Sequence, residues 1–208
     1  MKALKILPLL ALLSLAACGG AETAAPVEAP ATPEAAPAAA EPGETAAPVA
    51  APGGNFDWDK WAAVVNENPC NWLPAEELAA LGITAAGTQE TTATETRCLW
   101  TDADGTQIFS VSVQTWDSAT NLAAERAEQV KLAREMGGFS LVGESSGSVT
   151  AVYRRDRGRL SVFPNTDNET AMILINAQKT MRDDDAAKAS KDERAKAFAL
   201  KLMEAYGL

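Results

Sequence analysis

Residues 19–54 restrict most strongly what this chain can fold into. The stretch GGAETAAPVEAPATPEAAPAAAEPGETAAPVAAPGG contains no aromatic residue and no Lys or Arg. Such a segment buries too little apolar surface to offset the entropy lost on ordering. Its spaced prolines favour extended polyproline II, which at roughly 3.1 Å per residue reaches on the order of 100 Å. We predict a disordered Ala/Pro/Glu-rich tether, either a spacer that lifts a domain off a membrane or a linker without a partner.

The first seventeen residues have the composition of a targeting segment. Lys2 and Lys5 precede an apolar run at 6–15, and Ala16 and Ala17 then lead into Cys18. An apolar run of about ten residues is too short to cross a bilayer as a helix, which needs about twenty. We predict that residues 1–17 are a secretory signal peptide and take no part in the fold.

The string Leu15-Ala16-Ala17-Cys18 resembles the lipobox of bacterial lipoproteins. The resemblance implies that the Cys18 thiol takes a diacylglycerol group and that cleavage occurs just before this residue. Two or three acyl chains then hold the protein on the lipid bilayer. In that family an Asp after the cysteine often retains the protein at the inner membrane. The residue here is Gly19, which favours the outer membrane facing the periplasm. An ordinary signal peptide with an incidental cysteine is the alternative.

Charge and histidine content exclude several classes of function. The chain carries a formal net charge of −10 and contains no histidine. An acidic chain repels nucleic acid phosphates, so we predict no nucleic acid partner. Without histidine, the usual zinc sites and imidazole acid–base chemistry are unavailable. We therefore predict no metal, no cofactor and no enzymatic activity, while paired carboxylates acting on glycans or the cell wall remain an alternative.

The remaining two cysteines form an even pair. If Cys18 is lipidated, Cys70 and Cys98 are left in an oxidising compartment, where a disulfide between them is the simplest expectation. Such a bond would close a loop of about 29 residues and contribute about 3–4 kcal/mol. Two free buried thiols are the alternative.

Periodicity places the elements of one domain at 55–208. A helix capped by Asp57 would turn Trp58, Trp61, Ala62 and Val65 to one face. A short helix opens at Pro74, a longer one spans about 118–136, and a capping box from Ser190 to Glu193 opens the last, which Gly207 ends. Six segments alternate or are β-branched, as in strands: 94–101, 107–116, 139–145, 148–155, 159–165 and 170–178. We predict an α+β fold with an antiparallel sheet of about five or six strands packed with helices.

A second resemblance covers the first third of this domain. The segment NPCNWLPAEELAALGI followed by RCLW is similar to small bacterial lipoproteins of unknown function, which open with Asp/Asn-Pro-Cys and continue with a Cys-x-Trp strand. The matching positions are Asn68, Pro69, Cys70, Leu73, Leu81, Gly82, Cys98 and Trp100. The resemblance implies the Cys70–Cys98 bond and a fold like the PsbP/Mog1 sandwiches. It brings no known reaction, and the further cysteines of some relatives are absent.

Two sets of residues are candidates for binding. The segment YRRDRGR, 153–159, places Arg154, Arg155, Arg157 and Arg159 at a predicted hairpin tip. Guanidinium groups suit the carboxylates and phosphates of peptidoglycan and lipopolysaccharide, although a solvated hairpin paired with nearby acids is the alternative. Trp72 and Trp116, at element ends, are candidates for stacking on a sugar, with core packing as the alternative.

The other motifs give weaker evidence for a function than these two sets. Gly143 to Gly147 matches the Gly-x-Ser-x-Gly elbow around Ser145, but the chain has no histidine or Ser/Thr-x-x-Lys to activate a serine, so a turn is expected. DADG at 102–105 and NTDNE at 165–169 lack the ligand spacing of an EF-hand and also predict turns. The sequence favours a non-catalytic binding or scaffold module for an unknown envelope protein or cell-wall partner. The alternatives are the carboxylate hydrolase and a carrier of small apolar ligands.

Overall fold

A computed structural model describes residues 56–143 and 147–208 of the chain. The predicted signal peptide, Cys18, the tether and Ser145 lie outside these ranges. The described helices are α1 Trp58–Val65, α2 Ala75–Ala80, α3 Ala119–Glu135 and α4 Asp185–Tyr206. The described strands are β1 Thr88–Thr91, β2 Glu95–Thr101, β3 Gln107–Thr115, β4 Phe139–Leu141, β5 Val149–Arg154, β6 Arg159–Pro164 and β7 Ala171–Ala177. Short 3-10 turns occupy Pro69–Asn71 and Arg155–Arg157.

The strands form one open antiparallel sheet in the order β1-β2-β3-β7-β6-β5-β4. The predicted α+β fold is confirmed, and the sheet has one strand more than the six segments found by periodicity. The additional strand is β1, whose four residues are all exposed and therefore carry no hydrophobic alternation. Among the described helices, none combines the length and the apolar character needed to cross a bilayer.

Helices cover both faces of the sheet. On the first, which we call the α4 face, the side chains of Phe109, Val162 and Ile173 are fully buried together with Phe198 and Leu202 of α4. The rings of Phe109 and Phe198 lie 5.3 Å apart at their centroids. On the second, the α3 face, a smaller cluster is formed by Leu122, Val152, Phe163, Met172 and Leu174. The main core is therefore on the α4 face.

The first helix lies against the last. Asp57 caps α1 by accepting a hydrogen bond from the Lys60 amide at 3.1 Å, as predicted. Its buried residues, however, are Trp61 and Val64, and Trp58 is 46 % exposed. The predicted inward position of Trp58 was wrong because α1 has only eight residues, about two turns, and so short a pattern does not fix which side meets the core. Lys60 Nζ also donates to the Gly207 carbonyl at 3.0 Å, which joins α1 to the end of α4.

The last helix begins earlier than the capping box indicated. Asp184 caps α4 by accepting a hydrogen bond from the Ala187 amide at 2.7 Å, so the Ser190–Glu193 box lies inside the helix. The residues that follow Asp184 are good helix formers, so nothing delays helix formation until Ser190. The predicted end is confirmed, because Gly207 has the left-handed conformation with φ 62°.

The predicted disulfide is present between Cys70 and Cys98 and links the Pro69–Asn71 turn to β2. Gly87, just before β1, lies directly against this bond. A Cβ atom at Gly87 would come within 2.3 Å of Cys98 Sγ and 3.1 Å of Trp100 Cε2. The position needs glycine because the bridge occupies the space of a side chain.

Replacing Gly87 with Ala should destabilise the protein by about 1–3 kcal/mol through overpacking against the bridge. Removing both cysteines as Cys70→Ala/Cys98→Ala should cost about 3–4 kcal/mol, given the sequence separation of 28 residues. In that background the Gly87→Ala penalty should shrink by about 1 kcal/mol or more, because the sulfur atoms are gone. Denaturant unfolding of the full chain measures the unfolding free energy of the four proteins in this cycle: the wild type, Gly87→Ala, Cys70→Ala/Cys98→Ala and the variant that combines all three substitutions.

Gly138→Ala is the matched control. Gly138 is exposed, and a Cβ atom there meets no described atom within 4 Å. Its effect should stay within about 0.5 kcal/mol in both backgrounds. An equal Gly87→Ala cost with and without the cysteines would show that the bridge does not determine this position.

Candidate functional site

The four arginines of the β5–β6 hairpin do not form one cluster. Arg154 donates to the Asp156 carboxylate at 2.8 and 3.0 Å and lies 5.3 Å from the Phe139 ring centroid. Arg159 is partly buried on the α3 face, whereas Arg155 and Arg157 are exposed at the turn. The predicted hairpin is present, and the four arginines lie at or next to its turn. Because side chains alternate along the strands, these arginines lie on different surfaces.

Arg155 forms part of a groove of about 950 Å³ between the hairpin tip and the beginning of α4, which we call the hairpin groove. Three segments line it: the 3-10 turn after β5, the connection from β7 to α4, and one side of α4. The lining residues are Arg155, Asp156, Lys179, Thr180, Met181, Asp185, Lys188, Ala189, Asp192, Glu193 and Lys196.

A polar network holds these segments together. Asp192 Oδ1 accepts hydrogen bonds from the Tyr153 hydroxyl and from Lys179 Nζ, and the Lys179 and Asp192 side chains are each only 13 % exposed. Lys179 Nζ also donates to the Arg155 carbonyl at 2.6 Å. The pair therefore fixes the hairpin tip relative to α4 and gives the groove a preformed base.

Tyr153 supplies a neutral donor to this network. Its side chain is buried, and burial raises the pKa of its hydroxyl well above the usual range, with the hydrogen bond to the Asp192 carboxylate adding to the effect. The phenol therefore stays protonated wherever the fold is stable, and it acts as a positioning group in the network.

The rim of the groove carries charges of both signs. Lys196 Nζ lies 2.9 Å from the Glu193 carboxylate and 5.2 Å from the Tyr153 ring centroid, and Lys188 Nζ lies 3.5 Å from Asp185. The Arg155 guanidinium forms no ion pair with any residue in the described ranges. Met181, fully exposed, adds an apolar side chain. These groups suit a partner that carries charges of both signs.

Two acids at or near the groove, Asp156 and Asp183, do not suit the role of general acid in a hydrolytic pair. The hydrogen bond from Arg154 lowers the pKa of Asp156, and hydrogen bonds from Lys191 and the Thr180 amide lower that of Asp183 to about 2. A general acid needs its pKa raised. Within residues 56–143 and 147–208, no three Cys, Asp or Glu side chains group as metal ligands would.

The tryptophans nominated for sugar stacking are packed. Trp72 is 2 % exposed and its Nε1 donates to the Val64 carbonyl at 2.9 Å, so Trp72 offers no free ring face and its predicted stacking role is wrong. Trp116 is partly buried, and its Nε1 points at Met172 Sδ at 3.1 Å beside a shallow groove at 114–117. The exposed tryptophan is Trp58, which contacts Phe56 edge to face at 4.8 Å.

Most of the hairpin groove was missed by sequence reasoning. Lys179 and Met181 lie in a connection without periodicity, and only the register of the sheet brings them to Arg155. One signal was available: Lys188, Asp192 and Lys196 recur every four residues, which places them on one side of a helix. The assumed start of α4 at Ser190 hid this pattern.

Comparison with known proteins gives one match. A family model described as a protein of unknown function (DUF3558) matches residues 13–170. No curated protein and no solved structure matches. The matched range includes β1 to β6 and the arginine hairpin, while β7 and α4, which complete the groove, follow it.

The buried network leads us to predict how substitutions of Lys179 and Asp192 change the stability of the protein. Lys179→Met and Asp192→Asn should each cost about 2–4 kcal/mol in unfolding free energy, because each leaves a largely buried partner unpaired. The double variant should cost less than the sum of the two, with a coupling energy of about 1 kcal/mol or more. Chemical denaturation of the full chain measures the cycle.

The exposed pair Lys188 and Asp185 serves as the comparison. The Asp185 side chain is fully exposed, so the coupling between Lys188→Met and Asp185→Asn should stay below about 0.5 kcal/mol. Equal coupling in the two pairs would contradict a structural role for the buried network.

Proposed function

The chain belongs to the DUF3558 family of proteins of unknown function, and from that premise we propose that it is a lipid-anchored, non-catalytic binding module of the bacterial cell envelope. The observation that carries the proposal is the hairpin groove of about 950 Å³ with a rim of mixed charge. Its base is held by the Lys179–Asp192 pair, so the site exists before a partner binds.

Two observations, the lipobox resemblance at Cys18 and the Cys70–Cys98 disulfide, support the proposed location in the cell envelope. The lipobox resemblance at residues 15–18 assigns Cys18 to lipid attachment, and two or more acyl chains suffice for stable anchoring. The Cys70–Cys98 bond suits an oxidising compartment outside the cytoplasm. Residues 19–54 would then serve as the spacer between the bilayer and the domain.

The chemistry of the groove favours a protein segment as the partner. Lysines and acids alternate along α4, Arg155 provides a cation that forms no ion pair among the described residues, and Met181 supplies apolar contact area. A segment of an envelope protein with charges of both signs would satisfy both kinds of rim group. A purely anionic polymer would leave Asp185 and Glu193 facing like charge.

The two alternative functions have less support. A carboxylate hydrolase requires an acid of raised pKa, whereas Asp156 and Asp183 are shifted downward. A carrier of apolar ligands requires space between sheet and helix, whereas Phe109, Phe198 and Leu202 fill that layer in the described residues.

Photo-crosslinking in intact cells tests the groove. Met181→p-benzoylphenylalanine in the full chain should give one discrete cross-linked protein, because residue 181 lies on the rim. Met136→p-benzoylphenylalanine, at a 54 % exposed methionine after α3, should give none. Arg155→Glu should reduce the residue 181 product several-fold, while Lys131→Glu, on an exposed part of α3, should leave it unchanged. Equal products from positions 181 and 136 would contradict a partner at this groove.

Mass spectrometry of the membrane-extracted chain tests the anchor. The mature protein should begin at residue 18 and carry a diacylglycerol group, and Cys18→Ala should abolish both processing and membrane retention. Ser14→Ala, in the apolar run before the lipobox, should alter neither. A native mass that includes Met1, or an unmodified Cys18 thiol, would overturn the proposed lipid anchor and the location in the cell envelope.

A further inference from the structure

The end of β3 and the beginning of α3 border a second groove, of about 400 Å³, which we call the Trp116 groove. Its volume lies within the range of about 300–1,000 Å³ that is usual for small-molecule sites. The residues that line it are Gln114, Thr115, Trp116, Asp117 and Asn121. None of them borders the hairpin groove, so the two grooves are separate surfaces of the domain.

The strand register places Trp116 on the α3 face. Gln114 lies opposite Met172 in the pairing of β3 with β7, and Met172 belongs to the buried cluster of that face. Because side chains alternate along a strand, Trp116, two residues beyond Gln114, projects to the same face. Its ring packs against this cluster at the margin of the sheet.

Hydrogen bonds hold Trp116 in place before any ligand arrives. Its amide donates to the Thr170 carbonyl at 2.8 Å, and its Nε1 donates to Met172 Sδ at 3.1 Å. Met172 is only 1 % exposed, so the N–H edge of the indole is directed toward the interior. The part of the ring that remains exposed therefore borders the groove in a fixed orientation.

The first turn of α3 orders the polar side of the groove. Ser118 caps the helix by accepting a hydrogen bond from the Asn121 amide at 3.2 Å. The Asn121 side chain in turn donates from Nδ2 to Asp117 Oδ1 at 2.9 Å. A carboxylate has about four acceptor positions, and the Asn121 side chain keeps its carbonyl oxygen and a second N–H. Both side chains are exposed, so these remaining positions are open to a ligand.

The lining groups disfavour two classes of ligand. The five residues include one carboxylate and no Lys or Arg, so an anion would face Asp117 without a compensating cation. A hydrocarbon would remove water from Asp117 and Asn121 without replacing the lost hydrogen bonds. The ligand therefore has to be uncharged and rich in hydrogen-bonding groups, with an apolar surface for the indole.

We propose that the Trp116 groove binds one unit of a neutral oligosaccharide. The C–H face of a sugar ring packs on the exposed part of the indole. Its hydroxyl groups each donate one hydrogen bond and accept others, so they can donate to the Asp117 carboxylate and accept from the amides of Asn121 and Gln114. The combination of one aromatic ring with a few polar groups is typical of a small-molecule site.

This proposal does not rest on the proposed function. The envelope partner is assigned to the hairpin groove, and no residue lines both grooves. A failure to find that partner leaves the sugar site standing, and a failure of the sugar site leaves the partner standing.

The indole Nε1–Hε1 resonances of the ¹⁵N-labelled full chain report on the groove, and Trp116→Phe identifies the signal of Trp116. The chain is kept in a detergent without a sugar head group, because such a head group would compete. Cellotriose, maltotriose and chitotriose are the neutral probes, and trigalacturonate is the anionic one. At least one neutral trisaccharide should shift the Trp116 resonance saturably, with a dissociation constant of about 1 mM or tighter. Trigalacturonate should bind more weakly by about fivefold or more.

Trp58 is the control within the same spectrum. Its side chain is 46 % exposed and does not line the groove, so its resonance should stay constant. Three results would each overturn the proposal: no saturable shift at Trp116 with any neutral probe, an equal shift at Trp58, or trigalacturonate binding as tight as that of the neutral probes.

Two exposed residues in the first turn of α3 give matched variants. Asn121→Ala should weaken binding of the neutral trisaccharide several-fold, whereas Thr120→Ala, outside the groove lining, should leave it unchanged. Alanine is a good helix former, so both variants should fold. Asp117→Asn should reduce the preference for the neutral probe over trigalacturonate, because it removes the negative charge. Unchanged binding in Asn121→Ala, or an unchanged preference in Asp117→Asn, would also contradict the site.

Discussion

The pairing of β3 with β7 is the contact on which the rest of the fold depends. It joins a three-stranded meander, β1 to β3, to a four-stranded meander, β4 to β7, across seven register positions from Phe109 opposite Ala177 to Thr115 opposite Ala171. Every other strand pair joins neighbours in the chain, so only this contact unites the two halves in one sheet. It also directs the chain into α4, which supplies the main core and one wall of the hairpin groove. A contact of such high sequence separation is entropically costly to form, and the buried Phe109, Val111, Ile173 and Ile175 offset that cost.

Local patterns in the sequence were sufficient for most of the elements. The alternation in QIFSVSVQTW predicted β3, the cap at Asp57 predicted the beginning of α1, and the helix predicted at about 118–136 corresponds to α3. The failures have a common cause, which is that the deciding contact is distant. Trp58 is exposed because α4 meets the other side of α1, and β1 is a strand only because β2 pairs with it. The hairpin groove requires the strand register, which no local pattern encodes.

The β5–β6 hairpin distributes one run of basic residues among different environments. Arg154 and Arg159 lie on strands and project to the α3 face, while Arg155 belongs to the turn and borders the groove. Gly158 makes the tight return possible: its φ is +60°, and a Cβ atom there would come within 2.6 Å of the Ala177 carbonyl. The close approach of the turn to the end of β7 places Lys179 beside Arg155, so one glycine helps to set the geometry of the hairpin groove.

The hydrogen bond from Lys60 to Gly207 joins the beginning of the described domain to its end. Phe56 and Leu208 both pack on the main core near this bond, so the two ends of the described chain lie at one pole. The hairpin groove lies at the opposite end of α4, which at 1.5 Å per residue is about 33 Å long. Phe56, where the described domain begins, therefore lies away from the groove. A reporter fused after Leu208 would likewise be attached away from the hairpin groove and leave it accessible.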